Sequence, residues 1–174
     1  MNTALANVYR VLMMLVAVAG LAACQTIPPP PPAPGFTPAQ REVLEKRGFA
    51  ERDGNFLLGL NNRVLFGFDS SDINPAQQAM LRELARELVA VGIGSSRIEG
   101  HASNEGDPGH NMKLSERRAQ AVGKMLVEGG FAAPRMRVVG LGALDPVASN
   151  DRRDGRRQNR RVVIVVTPAD VLAL

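Results

Sequence analysis

Apolar residues recur along this chain with several different spacings, and the spacings divide it. Positions 11–23 are continuously apolar or small, a run of thirteen. That is too short for a bilayer core, which needs about 20 residues; it has the length of the hydrophobic region of a secretory signal. Positions 28–34 hold six prolines and one alanine. Proline fixes φ and lacks an N–H, so this stretch predicts an extended polyproline II tether, rising about 3.1 Å per residue. Thr37-Pro38-Ala39-Gln40 carries a capping box with proline in the first turn, predicting a helix to about Arg47 that Gly48 stops. Two apolar runs at 55–60 and 63–68 flank Asn61-Asn62 and predict a β-hairpin. Asn74-Pro75-Ala76-Gln77 repeats the capping logic, and Met80, Leu81, Leu84, Leu88 and Val91 follow at helical spacing until Gly92 and Gly94. A short strand is expected at 97–102, a polar loop at 103–112 and a second long helix at 113–128, with Leu114, Ala119, Val122, Met125 and Leu126 inward. Then come a strand at 137–141, a polar loop at 142–158 and a strand at 160–167, whose Val-Val-Ile-Val-Val run suits a central position. Helices alternating with strands predict an α/β fold, a two-layer sandwich with helices packed on one face of the sheet.

The chain has 174 residues, 45% hydrophobic and 22% charged, which fits one domain plus extensions and excludes a wholly disordered chain. A single cysteine excludes an intrachain disulfide, and with two histidines it excludes a four-ligand His/Cys zinc cluster. No metal or other cofactor is expected. The formal charge of +4 suits an anionic polymer or surface. Six arginines between 152 and 161 make a basic run, but an exported chain meets no nucleic acid, and a solvated loop beside anionic glycan or lipid is the simpler reading. HExxH, GxSxG and Cys-His pairings are missing, so no catalytic residue is assigned and the chain reads as a non-enzyme.

Leu21-Ala22-Ala23-Cys24 closes the apolar run and resembles the bacterial lipobox. The resemblance implies that Cys24 is acylated and becomes the mature N-terminus. Gln25, where aspartate would favour inner-membrane retention, implies the outer membrane, with the protein lipid-anchored and facing the periplasm. The expected organisation is a signal peptide at 1–23, a lipidated cysteine and tether at 24–36, a helix and hairpin at 37–62, a domain at 63–168 and a tail at 169–174.

Three further segments carry a family likeness. They are Leu65-Phe66-Gly67-Phe68-Asp69; Gly100-His101-Ala102-Ser103 with Gly106, Asn111, Leu114-Ser115 and Arg118; and Gly140-Leu141-Gly142 followed by Asn159-Arg160-Arg161. Together they resemble the OmpA C-terminal-like peptidoglycan-binding family, which implies an OmpA-like sandwich built on a mixed sheet. The implied ligand is the meso-diaminopimelate of the peptide stem, and the implied site comprises Asp69, Ser70, Ser103, Gly106, Asn111, Leu114, Arg118, Arg160 and Arg161. Arg118 would pair a ligand carboxylate, expected on the first turns of its helix. Asn111 would brace the loop. The family usually has Thr-Asp after Gly-His, where this chain has Ala102-Ser103. A hydroxyl brings no charge, so the resemblance implies weaker or altered binding, with Glu105 or Asp107 as substitutes.

The leading helix and Gly54-Asn55-Phe56-Leu57-Leu58-Gly59-Leu60 are similar to YfiB-type lipoproteins, with Phe56 where that pattern usually has tryptophan. This likeness implies that Leu44, Phe49 and Phe56 contact a YfiR-like periplasmic repressor, freeing a diguanylate cyclase for cyclic-di-GMP signalling. It also admits a homodimer. Two other readings stay open: a Pal-like structural tether between outer membrane and wall, and a domain that has lost wall binding and works only through protein partners.

Overall fold

The computed structural model describes residues 35–61, 66 and 69–171. The signal segment, Cys24 and most of the proline tether lie outside the described residues. Helix α1 (Pro38–Lys46) starts as its sequence dictates. Thr37 Oγ1 accepts from the Gln40 amide, and Gln40 Oε1 accepts from the Thr37 amide, completing the capping box.

Strands β1 (Ala50–Arg52) and β2 (Asn55–Asn61) form an antiparallel hairpin. Strand β1 was not expected from the sequence; the second arm of the hairpin expected between 55–60 and 63–68 lies, except for Phe66, outside the described residues. One edge of β2 is taken by β5 over six residues and the other by β1 over Asn55–Leu57. The turn responsible is Asp53-Gly54, with φ of 52° and 75°. Two successive left-handed residues match the twist of a tight hairpin, and Asp-Gly is among the sequences that reach it most readily. A Cβ at position 54 would meet nothing within 4 Å, so Gly54→Ala tests the backbone alone. It should cost about 1 kcal/mol and lower the melting temperature by about 3 °C in a domain of this size. A calorimetric drop several times larger would mean that the turn is held by packing instead.

Helix α2 (Pro75–Ala90) is capped by Asn74, whose Oδ1 accepts from the Gln77 amide at 3.0 Å. Leu81, Leu84, Ala85 and Leu88 form its buried stripe. Met80, expected inside, is 41% exposed: at 3.6 residues per turn it falls beyond the Leu84 edge of the stripe, on the side away from Ala85. Strand β3 (Arg97–His101) follows. Helix α3 (Pro108–Glu128) begins five residues before the expected position 113, because Asp107 caps it and Pro108 fills the first turn. Strand β4 is Arg137–Gly142. A short helix, α4 (Arg153–Asn159), stands inside the stretch expected to be loop. Polar contacts fix it. Asn159 is fully buried, and its Oδ1 accepts from the Val147 and Ala148 amides at 2.9 and 3.0 Å. Strand β5 (Arg161–Val166) ends the sheet.

The sheet order is β1-β2-β5-β3-β4, with β5 in the centre as expected. Only β3 and β4 run parallel, and α3 is the crossover between them, so the sheet is mixed. Alternate residues Phe56, Ile98, Val162, Ile164 and Val166 share one buried cluster with Leu44 of α1, Leu81 and Leu88 of α2, and Val122 and Leu126 of α3. Helices α1, α2 and α3 therefore lie on the same face. Gly100 lets α3 approach β3, since a Cβ there would sit 1.9 Å from Ser115 O. Segments 37–62 and 63–168 share this sheet, because β2 pairs with β5 over six residues. Residues 169–171 of the expected tail are also packed: a turn at Pro168–Asp170 is capped by Thr167, and Val171 bridges Ile93.

Candidate functional site

Asp107 Oδ1 accepts from the His110 amide at 2.6 Å, which fixes the start of α3. From that start the 3.6-residue period aligns Asn111, Leu114 and Arg118 along one side of the helix. Asn111 Nδ2 donates to Ser103 O at 3.3 Å and to Glu105 O at 2.7 Å, so it ties the 103–106 loop to the helix. Gly106 takes a φ of 86° within that loop. Arg118 lies well inside α3 and not on its first turns, which corrects the expectation that free helix N–H groups surround it. Arg118 as a whole is 7% exposed; its guanidinium rests 5.2 Å from the centroid of the Phe66 ring and donates from Nε to Ser70 O at 2.8 Å. Burial pulls its pKa down while the nearby Asp69 charge opposes that pull; arginine stays protonated regardless.

These residues line a cleft of about 800 Å³ together with Phe66, Asp69, Ser103, Glu105, Asp107, His110, Arg153, Arg157 and Arg160. Asp69 has a φ of 50°, unusual for any residue but glycine, and His110 Nε2 meets its Oδ1 at 2.7 Å. That imidazole, with the Arg118 and Arg117 charges beyond it, holds the Asp69 carboxyl below its ordinary value. A depressed carboxyl favours the folded form above its ordinary pKa and loses that effect as pH falls through the lowered value. His110→Phe should therefore raise the Asp69 titration midpoint toward 3.8, as read by carboxyl-detected NMR. An unmoved midpoint would assign the shift to the two arginines alone.

Ser103 is buried, and its Oγ accepts from Arg160 Nη1 at 3.2 Å. Glu105 is committed to two guanidinium groups: Oε2 lies 3.4 Å from Arg160 Nη1 and Oε1 lies 2.9 Å from Arg156 Nε. The latter is an ion pair off the N–H axis, since Nε makes no hydrogen bond. Ser70 contributes its carbonyl to Arg118, while its hydroxyl accepts from the Asp72 amide. Arg161 is not at the cleft. It pairs with Asp145 at 3.2 Å and exerts its charge on Glu99, on the sheet face that carries Val163. His101 is buried on that side, with Glu99 and Asp145 oxygens 3.7 and 3.9 Å from its nitrogens. The imidazole beside Glu99 holds that carboxyl below its usual value. Among the described residues no group of three His, Cys, Asp or Glu side chains could hold a metal.

Leu44, Phe49 and Phe56, expected to face a partner, are 0%, 4% and 0% exposed. Phe36 packs edge-on against Phe56 at 5.1 Å, Gln40 Nε2 donates to Val91 O at 3.0 Å, and Arg47 pairs with Glu87. Four cleft side chains lay outside the residues assigned from sequence: Phe66, His110, Arg153 and Arg157. The Asp107-Pro108 helix start was the signal that would have brought His110 onto α3 beside Asn111.

The OmpA family matches residues 65–160. Over 159 residues, 91% of this chain and 92% of the relative, the sequence is 45% identical to the outer-membrane lipoprotein YfiB of Pseudomonas aeruginosa. It is 35% identical to the putative lipoprotein YfiB of Escherichia coli over 84% of this chain and 89% of that one. Among solved structures, the cell wall anchor of the T6SS from Pseudomonas aeruginosa superposes with a TM-score of 0.62 at 27% identity, covering 78% of this chain and 98% of that chain. The chain belongs to the OmpA family and, across nearly its whole length, to its YfiB-type members.

Proposed function

We propose that this protein is an outer-membrane lipoprotein, anchored through acylated Cys24 and facing the periplasm, that binds peptidoglycan non-covalently in the Arg118 cleft. The observation that carries the reading is the Arg118 guanidinium, buried on Phe66 and set beside Asp69 at the floor of an open cleft. An amino-acid terminus of a stem peptide bears a carboxylate and an ammonium on one carbon, and an adjacent guanidinium and carboxylate complement both. The names of the relatives, an outer-membrane lipoprotein and a cell wall anchor, support the same surroundings. The test is co-sedimentation of residues 36–174 with purified sacculi. The protein should pellet with the wall; protein left in the supernatant across micromolar concentrations would overturn the reading.

The same proposal gives the N-terminal segment a regulatory task, the capture of a YfiR-like repressor that releases cyclic-di-GMP synthesis. Leu44 and Phe49 become available to a partner only when α1 leaves α2. Strand β2 cannot follow, since it pairs with the central strand β5 over six residues. The moving part would then be α1 with β1, not the whole of 37–60. Burial of all three expected partner residues favours a second reading, a purely structural tether to the wall. A pull-down with a YfiR-type protein separates the two readings.

A further inference from the structure

Helix α4 contributes two further cations, Arg153 and Arg157, to the lining of the cleft. A spacing of four puts both on one side of the helix, and like charges so placed work against it. The fold does not fully compensate them. Arg157 gives one nitrogen to Asp154, while Arg153 makes no hydrogen bond or ion pair among the described residues. The arginines beside them are occupied: Arg156 donates to Asn150 O and Asp151 O, and Arg160 meets Ser103 and Glu105. The carboxylates of the cleft are also committed, Glu105 to Arg156 and Arg160, Asp107 to the cap of α3, and Asp69 to His110. The α4 side of the cleft therefore carries unspent positive charge.

That side is rigidly mounted. Asn159 is fully buried and bonded to the Val147 and Ala148 amides, and a Cβ at Gly155 would sit 1.9 Å from Ser149 O. The charges that act on Arg118 come from Asp69, Arg160 and Arg117, not from Arg153 or Arg157. The α4 pair is thus a second cationic point, and an amino-acid terminus held at Arg118 fills only part of a cleft of about 800 Å³.

We infer that Arg153 and Arg157 form a second anion subsite, which takes the free α-carboxylate of the D-glutamyl residue preceding diaminopimelate in the stem peptide. This rests on the reading of the cleft as a wall-peptide site and adds a specificity that Arg118 does not supply. A γ-linked D-glutamyl residue keeps its α-carboxylate free, so a peptide seated at Arg118 carries a second anion one residue further along. Guanidinium groups present the planar N–H forks that a carboxylate accepts. Amidation of that carboxylate to D-isoglutamine removes its charge, so the cleft distinguishes the free acid from the amide.

The experiment compares two synthetic tripeptides, L-alanyl-γ-D-glutamyl-meso-diaminopimelate and its D-isoglutaminyl counterpart, which differ only in that amidation. Titration calorimetry uses residues 36–174, which carry the complete sheet and its buried cluster. The free acid should bind about tenfold more tightly, the scale of one charge-assisted hydrogen bond. Arg153→Gln with Arg157→Gln should bring the ratio near one, the loss falling on the free-acid peptide; circular dichroism and the melting temperature check the fold. Arg152→Gln removes an exposed charge of the same run that does not line the cleft, and should leave the ratio as it is. A wild-type ratio near one, or a ratio that survives the double variant, overturns the inference while leaving wall binding intact. A ratio that Arg152→Gln lowers as far as the double variant does overturns it as well, since the preference would then come from a diffuse field and not from a subsite. If neither peptide binds the wild-type protein, the wall-peptide reading falls and takes this inference with it.

Discussion

Leu44→Ala should release α1 from the domain while leaving the sheet folded. Leu44 is fully buried, and truncating such a leucine costs about 2–5 kcal/mol. Where that cost falls depends on what α1 supports. Its remaining ties run to α2 and to the first strands: the Gln40 bond to Val91 O, the Arg47–Glu87 pair, the Arg41–Glu51 pair and the edge-on Phe36–Phe56 contact. The charged ties lie near the surface, where such pairs contribute little. The sheet keeps β2, β5, β3 and β4 in register without α1. The loss should therefore appear as a local opening. Amide exchange over 38–47 should speed up about 100-fold, the equivalent of about 3 kcal/mol, while the amides of β5 change little. If β5 exchange accelerates as much as α1, the helix is part of the global core, and a regulatory release of α1 is excluded.

What sequence could foresee here follows from which forces were local. The caps at Thr37 and Asn74 depend on residues three apart, and both formed as written. The Val162–Val166 run could only belong in the middle of a sheet, and it does. Two misplaced elements had equally local cues that lost to louder ones. Asp53-Gly54 is a stronger turn than Asn61-Asn62, but the β1 it pairs is only three residues long and polar. Asp107-Pro108 starts α3, but the following Gly109-His110-Asn111 has a loop-like composition. Helix α4 offers no apolar period, because Asn159 and Gly155 hold it by hydrogen bonding and close backbone contact. The apolar character of Leu44, Phe49 and Phe56 is local, but what they pack against is not. Their sequence says apolar, and only tertiary contact with α2 and β5 says that they cover the core instead of a partner. Of the residues expected at the site, Asn111 and Arg118 follow from helical period once α3 begins at 108. Arg161 does not reach the cleft, because successive residues of a strand point to opposite faces.

Arg118→Ala should abolish retention on sacculi. The side chain does three things at once: it presents a cation to the cleft, it covers Phe66, and it holds Ser70 O. A charge-assisted hydrogen bond contributes about 1.5–3 kcal/mol, so losing the carboxylate partner alone should weaken binding about 10- to 150-fold. The loop carrying Asp69 loses one of its two ties to α3 in the same step and keeps only the Asp69–His110 contact, which loosens the second polar partner of the ligand. Stability should fall more modestly, by about 1–2 kcal/mol, because the Ser70 carbonyl can turn to water once the guanidinium is gone. Arg118→Lys makes the sharper comparison. Lysine keeps the charge and covers part of Phe66, but its ammonium cannot form two parallel bonds to a carboxylate while also reaching Ser70 O. Melting temperature should recover toward wild type in the lysine variant while sacculus binding stays well below it. Recovery of both together would mean that charge alone suffices and that the fork of the guanidinium plays no part. Full retention by Arg118→Ala, with the fold intact, would place the wall contact outside the cleft, and the arginine-rich helix α4 at its rim would become the first surface to mutate.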